Sequence, residues 1–356
     1  MVIQEQRMAR LQRAYEYCVG CKFFGSVSVS GWNMKILLAF FTMAVVCSQV
    51  ALADLTREQL AAKNRGLFLF NLRRTNDAAS FLKVAAEAGD RESQFFLGEV
   101  IRKRATYTSP ESQYWYRLAA NQNDVYAMMR LFKVDDAVCV ALDECTLGNN
   151  FKGWRVKARK VAESRAAEGG GEAMYQLFLM SGEYDWLVKS AEAGFGEGQY
   201  WLSVEYRQGW GIFFVPGKRT KTADKWLYAA AYSGYGPAMD KLRSILADRG
   251  DIHGNVYWTE QGAKAGSLNA ITNYAAWMAN TSDYFKYPLD LVKAYGLALV
   301  IAEAELPSRR RTGWVKLKKL SDDMTPDQIR AGVVFAEIWK KNYSPLSRFP
   351  TKHELL

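Results

Sequence analysis

Six segments of this chain place the same residue types at the same distances from a single turn residue, and that register restricts the fold more than any other property of the sequence. The turn residues are Gly89, Asn123, Gly169, Gly194, Gly234 and Gly266. Eight positions before them stand Phe81, Trp115, Val161, Trp186, Trp226 and Trp258, and three positions before them Ala86, Ala120, Ala166, Ala191, Ala231 and Ala263. Four positions after them the residue is small (Ser93, Ala127, Ala173, Gly198, Ala238, Ala270), and eight after them it is Leu97, Leu131, Leu177, Leu202, Leu242 or Tyr274.

Residues three to five apart lie near one another on a helix of 3.6 residues per turn, so each anchor is flanked by two helices with one apolar face each. The anchor is where the first helix stops and the chain reverses. Glycine enters the left-handed conformation without a Cβ penalty and asparagine is its usual substitute, which matches the residues found. Small residues on both sides let the two backbones approach. The aromatic residues, Trp115, Trp186, Trp226 and Trp258 among them, are expected to fill the wide end of the wedge and supply most of the buried area, each worth about 3 to 5 kcal/mol against alanine. One hairpin cannot bury its apolar face, so the copies must stack, predicting an all-α, right-handed solenoid of about six to seven hairpins.

The pattern resembles a known family, the Sel-one-like repeats, relatives of the tetratricopeptide repeats. The resemblance rests on "VAAEAGD" and "AAYSGYGPA", on "YRQGWGI" from Tyr206 to Ile212, and on "KTADKWLYAAA" from Lys221 to Ala231. "LVKAYGLALVIAEAE" resembles a degraded last copy and "MTPDQIRAGVVFAEIW" a closing cap helix. Anchor spacings of 34, 46, 25, 40 and 32 residues, with the Gly-x-Gly step, fit ordinary tetratricopeptide repeats less well. The register is least regular between residues 136 and 185. The repeats are expected over residues 54–340, with a tail at 341–356.

Location is suggested by the N-terminal segment. "MKILLAFFTMAVVCSQVALAD", from Met34, has a lysine, an apolar run too short to span a bilayer, and Ala51-Leu52-Ala53 before Asp54. This predicts a signal peptide at 34–53, cleavage after Ala53 and a periplasmic chain with no integral membrane span; the other reading is an anchor beginning at residue 1. Residues 1–33 are read as an extended leader or an untranslated segment. Their "CVGC" lacks a second ligand pair for zinc. The exported chain would keep Cys139 and Cys145, which either form a disulfide in an oxidising compartment or remain two separate thiols. Its formal charge would be +7 rather than +10, because residues 1–53 hold five lysines and arginines and two acidic residues. That excess reads as solvated helix faces, and export argues against a nucleic-acid partner.

No catalytic constellation emerges. The two histidines, His253 and His353, have no metal or triad spacing; Gly169-Gly170-Gly171 follows a helix and lacks the lysine of a phosphate loop; Asp322 and Asp323 read as the start of the cap helix. No cofactor or metal is expected, and an enzyme of the penicillin-binding, cysteine-rich repeat kind is the remote alternative. Binding remains. Six positions after the anchors stand Phe95, Met129, Tyr175, Tyr200, Asp240 and Thr272, either a groove grading from apolar to polar or packing between repeats. The insertion "GWGIFFVPGKRTK" presents Phe213, Phe214 and Val215 beside Lys218, Arg219 and Lys221, either as a protruding partner-binding tip or folded onto the solenoid. The resemblance implies a protein partner: a secreted phospholipase effector of type VI secretion, with this chain its immunity protein, or an envelope component, with this chain an assembly scaffold.

Overall fold

The computed structural model describes residues 55–105, 107–132, 151–279, 288–304 and 317–349, all within one unit that begins at Leu55. The leader and signal segments, Cys139 and Cys145, and His353 lie outside the described residues.

Helices α1 (Arg57–Asn71) and α2 (Thr75–Glu87) open the array, followed by α3 (Arg91–Ala105), α4 (Pro110–Asn121) and α5 (Val125–Phe132). Then come α6 (Phe151–Ala167), α7 (Gly171–Ser181), α8 (Tyr184–Glu192), α9 (Gly196–Gln208), α10 (Lys218–Tyr232) and α11 (Gly236–Asp248). α12 (Ile252–Lys264), α13 (Leu268–Met278), α14 (Leu291–Ala304) and α15 (Pro326–Asn342) complete it. Each helix packs on the next, giving an all-α solenoid of stacked hairpins. The first and last of these helices are each opened by a capping box, Thr56 with Gln59 and Thr325 with Gln328. Threonine accepts from the third residue's N–H, and the glutamine side chain accepts from the threonine N–H, so two otherwise orphaned donors are satisfied.

All six anchors are left-handed, with φ from +62° at Asn123 to +97° at Gly89. At every one the anchor N–H donates to the carbonyl three residues back and the following N–H to the carbonyl five residues before itself, as in Gly89 to Ala86 (3.0 Å) and Asp90 to Ala85 (3.0 Å). This pair of bonds satisfies the last carbonyls of the first helix and reverses the chain within two residues. The positions at −3, +4 and +8 are buried in all six copies, as the register predicts.

The tryptophan column differs from expectation. The position buried throughout is −7, occupied by Leu82, Tyr116, Ala162, Leu187, Leu227 and Thr259. With −4 and −3 it forms the strip that faces the second helix. Position −8 is one residue, or 100°, off that strip. Trp115 and Trp258 are buried, but Trp186 and Trp226 are half-buried beneath the ammonium groups of Lys189 (4.5 Å) and Lys225 (5.4 Å), and Phe81 is exposed. Those tryptophans therefore cover the edge of each wedge, and the aliphatic neighbour fills it.

The two ends of the array meet. Leu72, after α1, is buried in a core shared with Ala263, Tyr274, Leu297, Trp339 and Leu346, while Phe68 packs against both this core and that of the first repeats. The segment after α15, expected to be a simple tail, threads this seam. Ser344 N–H donates to Lys264 O (3.1 Å), Ser347 N–H to Gly266 O (2.8 Å), Leu268 N–H to Ser347 O (3.1 Å), and Arg348 N–H to Asn71 O (2.9 Å). Phe349 lies across Gly236, where a Cβ would overlap its ring. Gly266 is thus constrained twice, by φ +91° and by the Pro345 carbonyl that occupies the space of a Cβ.

Two stability experiments follow from this packing. Leu227→Ala is expected to cost about 2 to 5 kcal/mol and Trp226→Ala about 1 to 2 kcal/mol in equilibrium denaturation, because only the leucine lies on the fully buried strip. Gly194→Ala, where a Cβ meets nothing within 4 Å, is expected to cost about 1 to 2 kcal/mol from its left-handed φ alone. Gly266→Ala should cost more, and the excess should vanish when residues 343–356 are deleted; equal penalties in the intact chain would show that the latch is not coupled to the turn.

Candidate functional site

Between α9 and α10 the chain leaves the repeat geometry, and the physical question is what holds the insertion. Trp210 stacks on Tyr184 (4.6 Å between ring centroids) and lies 5.3 Å from Tyr206. Tyr184 is oriented in turn by a hydrogen bond from its hydroxyl to the Glu205 carboxylate (2.9 Å). Phe213 packs edge-on to Tyr206 (5.4 Å) with the Arg219 guanidinium over its ring (4.9 Å). Arg219 also donates to the carbonyls of Trp210 (2.6 Å) and Gly211 (3.0 Å), closing the loop like a clasp.

Phe213 is turned inward and its neighbours point out. Phe214 is 92% exposed, Ile212 82% and Val215 60%. Side chains of this size are seldom left in water together on a fixed loop, and an exposed apolar patch marks a contact surface. Of the two phenylalanines singled out in the sequence, Phe214 is the presented one and Phe213 belongs to the clamp. Arg219 is a clamp residue too, so the exposed cations beside the tip are Lys218 and Lys221.

The column six residues after the anchors divides. Phe95, Met129 and Tyr175 are fully buried, and Tyr175 packs against Phe178 (6.0 Å) and Phe195 (5.7 Å), which removes it from any surface groove. Tyr200 is half-buried between Trp201 and Tyr235 (5.6 and 5.5 Å). The polar end of the column opens onto cavities: Thr272 lines one of about 650 Å³ at the seam, and Asp240 lines a smaller adjoining one of about 200 Å³. The charged residues lining the larger cavity are Arg73, Arg74, Arg243 and Arg348, drawn from the α1–α2 turn, α11 and the latch. Asp240 accepts twice from the Ser267 hydroxyl (2.9 Å each), and burial pushes its carboxyl above the usual carboxylate range against the pull of Ser267 and Arg243. The sequence missed this site, since its arginines lie 170 and 105 residues apart and share no spacing.

No protein-family model matches the chain, and no curated protein matches it. Among solved structures the chain is similar to a protective antigen present in uropathogenic Escherichia coli strains displaying an SLR fold, at 16% identity and a TM-score of 0.39, over 86% of this chain and 64% of the other. It is similar also to a Sel1 repeat protein from Oxalobacter formigenes, at 17% identity and a TM-score of 0.38, over 89% and 93%. The chain spans under two thirds of the length of the first. The fold is an all-α solenoid. That assignment rests on the left-handed anchors and buried columns described above. Among the described residues there is no group of three or more potential metal ligands, and no helix is long and apolar enough to cross a membrane.

The clamp and the tip separate by mutation. Phe214→Ser is expected to change stability by less than about 0.5 kcal/mol, as for other exposed positions, whereas Phe213→Ser should lose about 1 to 2 kcal/mol of packing and open residues 209–217 to limited proteolysis. Equal protease sensitivity of the two variants would mean that the loop has no clamp.

Proposed function

We propose that this chain is a Sel-one-like repeat protein that acts as a protein-binding module, and specifically as a periplasmic immunity protein that occludes a secreted phospholipase effector. The observation that carries the reading is the clamped apolar tip of Ile212, Phe214 and Val215. A rigid protrusion loses little conformational freedom when it docks, and interfaces draw most of their energy from a few buried aromatic or aliphatic anchors. An enzyme that accepts acyl chains has an apolar cleft, and a protruding Phe214 with Ile212 is shaped to fill one. The signal-like segment at 34–53 supports export, and an oxidising compartment favours pairing of Cys139 with Cys145. No catalytic role is part of this reading.

The test is co-expression in the periplasm with a phospholipase effector of type VI secretion. The wild-type chain, recovered from periplasmic extract with Asp54 at its N-terminus, is expected to prevent lysis and to bind the effector. Ile212→Ser with Phe214→Ser should weaken that complex by about 2 to 4 kcal/mol at an unchanged melting temperature. A wild-type chain that gives no protection, or a double variant that protects equally well, would refute the assignment, as would co-purification with a polymer synthase in place of the effector.

A further inference from the structure

We propose that the seam cavity is a binding site for a small organic polyanion, one carrying two or more phosphate or carboxylate groups. The site is separate from the apolar tip and does not depend on the reading above. Its volume of about 650 Å³ lies within the roughly 300 to 1,000 Å³ usual for small-molecule pockets. No acidic residue lines it, and all four charged residues that do are arginines, whose planar forks grip carboxylate and phosphate with paired hydrogen bonds. Asn269, Thr272 and Asn273 add neutral donors and acceptors suited to the hydroxyl or ester oxygens of such a ligand.

Two observations indicate that these arginines are held for a ligand rather than for the fold. The first is Arg73. Its N–H donates to Phe70 O (2.8 Å) and that of Arg74 to Leu69 O (2.8 Å), so Arg73 occupies, at φ +59°, the left-handed slot that glycine or asparagine fills at the six anchors. A residue with a Cβ and no short side-chain amide to bond its own backbone is strained in that slot, and strain of this kind collects where a side chain has work beyond the backbone. The guanidinium of Arg73 makes no hydrogen bond or ion pair among the described residues, and Arg73 lines both the large cavity and the smaller one beside it. The second is Arg243, whose Nε is buried without a hydrogen-bond partner among the described residues and whose charge acts on the neighbouring carboxyl of Asp240. Arg74 has its own partners, Asp77 (2.8 Å) and Ala304 O (3.4 Å), and serves to place the turn. A bound polyanion would bridge Arg73, Arg243 and Arg348, joining the first hairpin, α11 and the latch.

The experiment uses the full chain with pyrophosphate and citrate as probes, and acetate and sodium chloride at matched ionic strength as controls. Isothermal titration is expected to give saturable binding of at least one probe, with a rise in melting temperature that the controls do not produce; pyrophosphate alone would assign phosphate esters, citrate alone polycarboxylates. Arg73→Gly relieves the backbone strain while removing the cation, so its unliganded melting temperature should equal or exceed that of the wild type while affinity falls at least tenfold. Arg348→Gln should lower affinity by a similar factor. Arg159→Gln, on the exposed face of α6, should leave it unchanged. Absence of saturable binding by both probes, wild-type affinity in Arg73→Gly, or an equal loss in Arg159→Gln would overturn the proposal.

Discussion

Every repeat depends on one pair of hydrogen bonds, those by which a left-handed residue and its successor return to the carbonyls three and four positions before the left-handed residue. The pair ends the first helix within a defined residue, so the strip at −7, −4 and −3 arrives opposite +4 and +8 without adjustment of either helix. Side-chain bonds reinforce it in places: Gln94 and Gln199, five residues after their anchors, each donate to the −3 alanine carbonyl at 3.1 Å. Remove the left-handed turn and the columns lose their register, because a shift of one residue rotates each helix face by 100°. The burial seen along the array is therefore a consequence of turn geometry first and of hydrophobicity second.

That ordering explains which parts of the molecule were legible in the sequence. Glycine at a turn and alanine three before it are chemically narrow requirements, so they recur and can be aligned by eye. Position −7 requires only that something fill the wedge, and Leu82, Tyr116, Ala162 and Thr259 do so with unlike side chains whose neighbours adjust. It hid behind the tryptophans that stand beside it in four of the six copies, and the wrong column looked like the core. The tip was visible because a run of apolar residues between turn residues breaks the pattern, but which phenylalanine faces outward depends on Arg219, six residues beyond Phe213, and no local rule predicts that. The seam was invisible for a different reason. Asn71 and Arg348 meet only because the whole array brings them together, and contacts at that separation leave no period to detect.

Charge is handled differently in the interior and at the seam. Glu99 is fully buried in α3, yet it accepts from Arg130 (2.6 and 3.1 Å), Arg102 (3.1 Å) and the Tyr116 hydroxyl (2.9 Å), so its charge is matched within the fold. Asp224 ties α9 to α11 through Arg207 and Arg249, and those guanidinium groups, working against partial burial, hold its carboxyl below the usual range. In these places cations and anions are paired by the protein. Around the seam cavity the cations outnumber the acids that face them, and the surplus belongs to residues contributed by distant stretches of chain.

Meeting of the two ends also limits how such a chain can change length. An open solenoid gains or loses a hairpin at little expense, since each unit touches only its neighbours. Here the first hairpin lends Leu72 to the last core, and Pro345 to Phe349 lie across the turns at Gly266 and Gly236. One hairpin more or fewer would carry Asn71 past Arg348, leaving Leu72 in water and the latch without its grooves. The number of repeats is therefore a closed count, set by the arc that returns the chain to its beginning, and duplication, the ordinary route by which repeat proteins diversify, is barred to this one unless the seam is first undone.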